Sequence, residues 1–149
     1  MTLSANWIYL LLAAVAGSAM AFQGAINALL GKVVGMLEST LIVQLIGSLT
    51  AFILIYLFHL GKGSLGMMPQ APWYAYLGGL LNVLILFGVV FSIPKLGVGS
   101  ATTAIVVLQL LTAVMIDHFG MFGVDRSPCR WLDLVGIAML GGAAKILLR

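Results

Sequence analysis

The sequence predicts an all-α integral membrane protein with five transmembrane helices, assembled as an antiparallel homodimer of ten. Three observations carry this. Of 149 residues, 62% are hydrophobic and only 7% charged, whereas soluble domains average about a quarter charged. Five apolar stretches each approach the ~20 residues that a helix needs to cross hydrocarbon. Basic and aromatic residues are distributed along the chain in a way that one fixed orientation does not explain.

The predicted spans are residues 7–30, 39–60, 73–93, 98–116 and 131–148, and together they make residues 1–149 a single transmembrane domain. The first contains the stretch Ala13 to Gly31, which carries Gln23 and Asn27 with no charge near either. Four residues apart, the two amides share one helix face. An amide in hydrocarbon is costly unless hydrogen-bonded, so that face should look at protein, at a water-filled cavity or at a substrate. Ala13, Gly17, Ala21 and Ala25 form a row of small residues that suits close approach of a second helix. Residues 8–16 followed by Ala19-Met20-Ala21 imitate a leader peptide. No Lys or Arg precedes that run, and it continues past the imitation cleavage site, so it reads as a span.

In the second span Glu38-Ser39-Thr40 offers a cap, and Thr40, Gln44, Gly47, Ser48 and Ala51 form a small, polar face. Pro72 can open the third, which contains Gly78, Gly79 and Asn82, and Pro94-Lys95-Leu96-Gly97 should break the chain before the fourth. On the fourth, Thr102, Gln109 and Ala113 follow the helical repeat, and Asp117 continues that line to the membrane surface. The fifth has no polar stripe. Its Gly136, Ala138, Gly141, Gly142, Ala143 and Ala144 suit close helix contact.

If the N-terminus defines one side, that side holds Lys62, Arg126 and Arg130, and the other holds Lys32, Lys95, Lys145 and Arg149. This is no positive-inside bias. The aromatic residues Trp7, Tyr9, Tyr56, Trp73, Tyr74, Tyr76 and Trp131 all fall near the first side, giving one aromatic belt where two are common. Insertion in both orientations with head-to-tail pairing resolves both oddities. The competing account is an ordinary fixed topology whose short loops carry too few charges to show a bias.

Each polar stripe has two readings. Ser and Thr can bond their own backbone four residues back, and Gln and Asn can knit neighbouring helices. Alternatively the amides Gln23, Asn27, Gln44 and Gln109, with Asn82 as a weaker fifth, converge on a substrate. No ionisable residue falls near the middle of a span, so the usual intramembrane proton relay or counter-ion is absent. Asp117-His118 is an adjacent acid and imidazole, readable as a gate or as a helix end paired with Arg126 or Arg130.

No GxSxG, HExxH or carboxylate pair is present, so an enzyme is not expected. Cys129 is the only cysteine, which leaves no intrachain disulfide, no metal cluster and no expected cofactor. A net charge of +3 spread over short loops argues against a nucleic-acid partner. The expected partners are a small-molecule substrate, membrane lipid and a second copy of the chain.

The stretch FQGAINALLGK, the Asn82 region, and above all LQLLTAVMIDHFGMFG followed by a helix ending AKILLR resemble the YdcZ-like five-helix family of the drug/metabolite transporter superfamily. The resemblance covers nearly the whole chain. It implies a bacterial inner-membrane transporter working as a dimer of five-helix halves, with Gln23, Asn27, Gln109, Asp117 and His118 as functional positions. Small multidrug transporters are similar in size but place a glutamate in the first helix, where this chain has Ser18, Met20 and Gln23. The resulting expectation is an exporter that works by alternating access around a cavity of uncharged amides. The rival is a membrane scaffold or subunit of a larger complex, in which the amides are helix glue.

Overall fold

The structure, a computed structural model, describes residues 3–148, with side chains from residue 7 onward. Five α-helices account for most of it: α1 (Leu3–Val34), α2 (Met36–Tyr56), α3 (Leu77–Leu96), α4 (Val98–Phe119) and α5 (Trp131–Leu147). Short 3-10 turns occupy 65–70, 73–76 and 121–123, and no strand occurs among the described residues. The four helical stretches Trp7–Val34, Met36–Tyr56, Trp73–Leu96 and Val98–Phe119 are long and apolar enough to cross a membrane. α5 has 17 residues, or about 26 Å of helix against about 30 Å of hydrocarbon.

The helix boundaries differ from the sequence expectation for identifiable reasons. α1 runs through Val34, and Gly35 at φ 105° turns the chain directly into α2. Only a residue without Cβ takes that conformation easily. A side chain there would also collide with the Glu38 carboxylate. The expected cap at Glu38-Ser39-Thr40 is therefore not used. Those residues lie inside α2, and Ser39 Oγ and Thr40 Oγ1 both donate to the Met36 carbonyl at 2.9 Å.

α2 stops at Tyr56 rather than residue 60, although the apolar run continues. His59 adopts φ 52°, and the Leu57, Phe58 and Leu60 N–H groups fold back onto the carbonyls of Ile53 and Leu54. Pro72 does precede the third helix, through a 3-10 turn at 73–76. The expected break within Pro94-Lys95-Leu96-Gly97 falls at the last of these residues, Gly97 with φ 79°. Pro94 sits in the last turn of α3, where its missing N–H removes a single helical bond.

The described residues divide into two units, one ending at Pro94 and the other beginning at Lys95. In the first, one face of α1 meets α3 at close range. A Cβ at Gly24 would lie 3.0 Å from Ile93 Cδ1 and 3.1 Å from Val89 Cγ1, and one at Gly31 would overlap Val90 Cγ1. Ala28, Leu86, Val90 and Ile93 are the buried apolar residues of this seam. Of the expected row Ala13, Gly17, Ala21 and Ala25, Ala21 and Ala25 are half-buried, whereas Ala13 is exposed and Gly17 has open space around it.

In the second unit α4 packs against α5, burying Ser100, Ala101 and Ala144. Gly136, Gly141 and Gly142 face open space. Most large apolar side chains on the five helices are exposed, as expected of a surface that meets lipid.

Candidate functional site

The five candidate amides occupy three different settings. Asn27 lies between Gly24 and Gly31 on the packed face of α1 and is only 5% exposed. Its Nδ2 has no hydrogen-bond partner, and no other buried side-chain N or O atom among the described residues is left so. A buried donor without an acceptor costs about 1–3 kcal/mol. Such an atom calls for a specific reason.

Gln44, midway along α2, and Asn82, on α3, meet directly. Asn82 Nδ2 donates to Gln44 Oε1 at 2.8 Å. This bond leaves the Gln44 amide N–H groups and the Asn82 carbonyl free as donors and acceptor. Asn82 is exposed and Gln44 half-buried. Gln23 is exposed on α1, and Gln109 is exposed on α4 in the second unit.

Six of the helix hydroxyls are bonded to their own backbone. Ser18, Thr40, Thr50, Thr103 and Thr112 each donate to the carbonyl four residues back, and Ser39 to the carbonyl three back. The hydrogen bonds of these six hydroxyls are satisfied locally.

Asp117 and His118 sit in the last turn of α4, which ends at left-handed Gly120 with φ 64°. Neither arginine pairs with Asp117. Arg126 Nε donates to the His118 carbonyl at 3.1 Å, and Arg130 pairs with Asp133 at 3.2 Å. The Ser127 N–H donates to the Asp117 carbonyl at 2.9 Å, and the Cys129 N–H donates to His118 Nδ1 at 3.0 Å.

Arg130 and Asp133 cap α5. The Arg130 N–H donates to Asp133 Oδ2 at 2.8 Å, and the guanidinium reaches the same carboxylate. Hydrogen bonding to Asp133, reinforced by its negative charge, raises the Arg130 pKa further above its ordinary value. The role of Ser127 and Cys129 in this loop was not legible from spacing. The only signal was SPCRW itself, a short polar insertion between two apolar runs.

Long apolar helices that hold amides define a multi-pass membrane protein. The profile of DMT_YdcZ, a family described as "Putative inner membrane exporter, YdcZ", matches residues 8–146. The chain belongs to that family and is a multi-pass protein of the inner membrane. Its family description names export, which points to transport rather than catalysis. Neither the curated proteins nor the solved structures give a match.

Proposed function

We propose that the chain exports a small molecule as an antiparallel homodimer working by alternating access, each subunit crossing the membrane five times. The observation that carries this reading is Asn27, an amide donor buried and left without a partner on the packed face of α1. An acceptor group on a passing substrate would satisfy it. Gln23, Gln44 and Asn82 supply further hydrogen-bonding groups in the same unit, and Gln109 is proposed to contact substrate from α4. Asp117 and His118, at the helix end, are proposed as a gate.

α5 completes the fifth crossing if the bilayer thins locally by a few Å, at modest cost. Alternating access between two oppositely oriented copies is the arrangement that inverted repeats achieve within one chain.

The test has two arms. C-terminal reporters active on opposite sides of the membrane should both give signal, because the charge distribution favours neither orientation. Signal on one side alone would remove the antiparallel dimer. A thermal-shift screen of neutral metabolites should yield a ligand whose uptake into proteoliposomes Asn27→Leu abolishes. Persistence of that transport in folded Asn27→Leu protein would remove the amide site.

A second reading is favoured by the Gln44–Asn82 bond, which joins α2 to α3 as helix glue would. A scaffold subunit would show that coupling and no transport.

A further inference from the structure

The end of α4 and the loop that follows build a polar cavity that contains none of the candidate amides. It has a volume of about 290 Å³ and is lined by Val114, Asp117, Ser127, Cys129, Arg130 and Asp133. That is near the lower limit of roughly 300–1,000 Å³ for ligand pockets, so its occupant would be small. The walls are pinned in advance. The Ser127 N–H holds the Asp117 carbonyl, and the Cys129 N–H holds the His118 ring. Binding would therefore require little ordering of the loop.

The charges inside the cavity do not cancel. Arg130 is matched by Asp133 at 3.2 Å. Arg126, the other cation of the loop, has its Nε on the His118 carbonyl. Asp117 has neither an ion pair nor a side-chain hydrogen bond among the described residues. One carboxylate is thus left uncompensated in a preformed concavity that Ser127 also lines.

We infer that this cavity binds a small organic cation, with a primary ammonium group on the Asp117 carboxylate and Ser127 Oγ as second acceptor. An ammonium offers three donors, and a charged pair of donor and acceptor makes a stronger hydrogen bond than a neutral one. An anion would meet the unpaired carboxylate and be repelled. The site is independent of the amide reading, and Asn27→Leu should leave it unaffected.

Cys129 lines the cavity and is the only thiol in the chain, so its alkylation reports occupancy. The probe is n-butylammonium, with n-butanol and butyrate as uncharged and anionic counterparts, on detergent-purified full-length protein with iodoacetamide. n-Butylammonium should slow alkylation saturably, by about tenfold near ten times its dissociation constant, because only the unliganded fraction reacts. The two counterparts should not. Asp117→Asn should lose the protection while keeping its unliganded labelling rate, and Asp117→Glu should retain it.

Equal protection by n-butanol, no protection by n-butylammonium, or full protection in Asp117→Asn would each overturn the assignment. If Asp117→Asn labels as fast as denatured protein, the contrast between the three probes on the unsubstituted chain decides the matter.

Discussion

Asn27 and Asp117 are both polar side chains that no neighbour satisfies, and they are left so in opposite ways. Asn27 is 5% exposed, enclosed by a glycine-mediated seam between α1 and α3. Asp117 stands exposed at a helix end, in a cavity whose walls are a loop tied down by hydrogen bonds. In the first region the polar group is held by packing, so its surroundings can change only if helices move. In the second it is held by local bonds, so the loop can change while the helices stay put. A group of the first kind suits a step coupled to global motion, and one of the second kind suits capture at a mouth.

The largest expected effect comes from breaking the enclosed region. Gly31→Leu places a side chain where even a Cβ overlaps Val90 Cγ1 and lies 3.3 Å from Ser39 Oγ. Overpacking typically costs about 1–3 kcal/mol, and in a helix seam the backbones must separate to relieve it. Thermal unfolding in detergent should show the loss. Gly142→Leu, where nothing lies within 4 Å of a Cβ, should leave unfolding unchanged and weaken only the association of subunits, read by crosslinking. Equal stability of the two variants would mean that α1 and α3 are not tightly packed.

Removing the orphan donor should separate stability from function. Asn27→Leu deletes a buried amide whose Nδ2 is unpaired, so stability should hold or rise by about 1 kcal/mol. If the donor serves a substrate, affinity should fall by roughly one to two orders of magnitude, equivalent to about 1–3 kcal/mol. Asn27→Gln should lose less than Asn27→Leu. A variant that is both less stable and equally active would make Asn27 a structural residue.

The existence of the spans was legible because long apolar runs have few alternatives in water or lipid. Their ends were less so. Glu38-Ser39-Thr40 carries a strong capping signature, but the one-residue turn between α1 and α2 needs a positive φ, and Gly35 supplies it. Which face of α1 packs inside the subunit was readable only in part: the polar face was expected to look at protein or a cavity, and of its two amides Asn27 is buried while Gln23 is exposed. The small row at spacing four stood out in the sequence, yet Gly24 and Gly31, seven apart, make the close approach. Gln44 and Asn82 were both visible as amides. Their pairing depends on the relative rotation of α2 and α3, and no local pattern encodes that.

That pair should show a smaller effect. Gln44→Leu and Asn82→Leu should each weaken folding modestly, and the double variant should fall short of the sum. Side-chain hydrogen bonds between membrane helices average about 0.6 kcal/mol and reach about 1.7 kcal/mol in such cycles. A coupling indistinguishable from zero, measured by unfolding of the four proteins, would mean that the two amides bond elsewhere in the membrane-embedded state.

The smallest global effect is expected at the mouth, and it probes the comparison most finely. His118→Leu removes the acceptor of the Cys129 N–H at 3.0 Å and keeps the side chain apolar beside Phe119, whose ring stands edge-on to the imidazole. A neutral hydrogen bond contributes about 0.5–1.5 kcal/mol net, and here it ties a loop rather than two helices. The midpoint of thermal unfolding should therefore barely move. Alkylation of Cys129 should accelerate, because the segment that carries it is released from α4 while Ser127 remains bound to the Asp117 carbonyl. His118→Gln, which restores a side-chain acceptor, should recover part of the original rate. If His118→Leu lowers the unfolding midpoint as far as Gly31→Leu does, the mouth is as much a part of the fold as the α1–α3 seam. The contrast between a group held by packing and one held by local bonds would then fail.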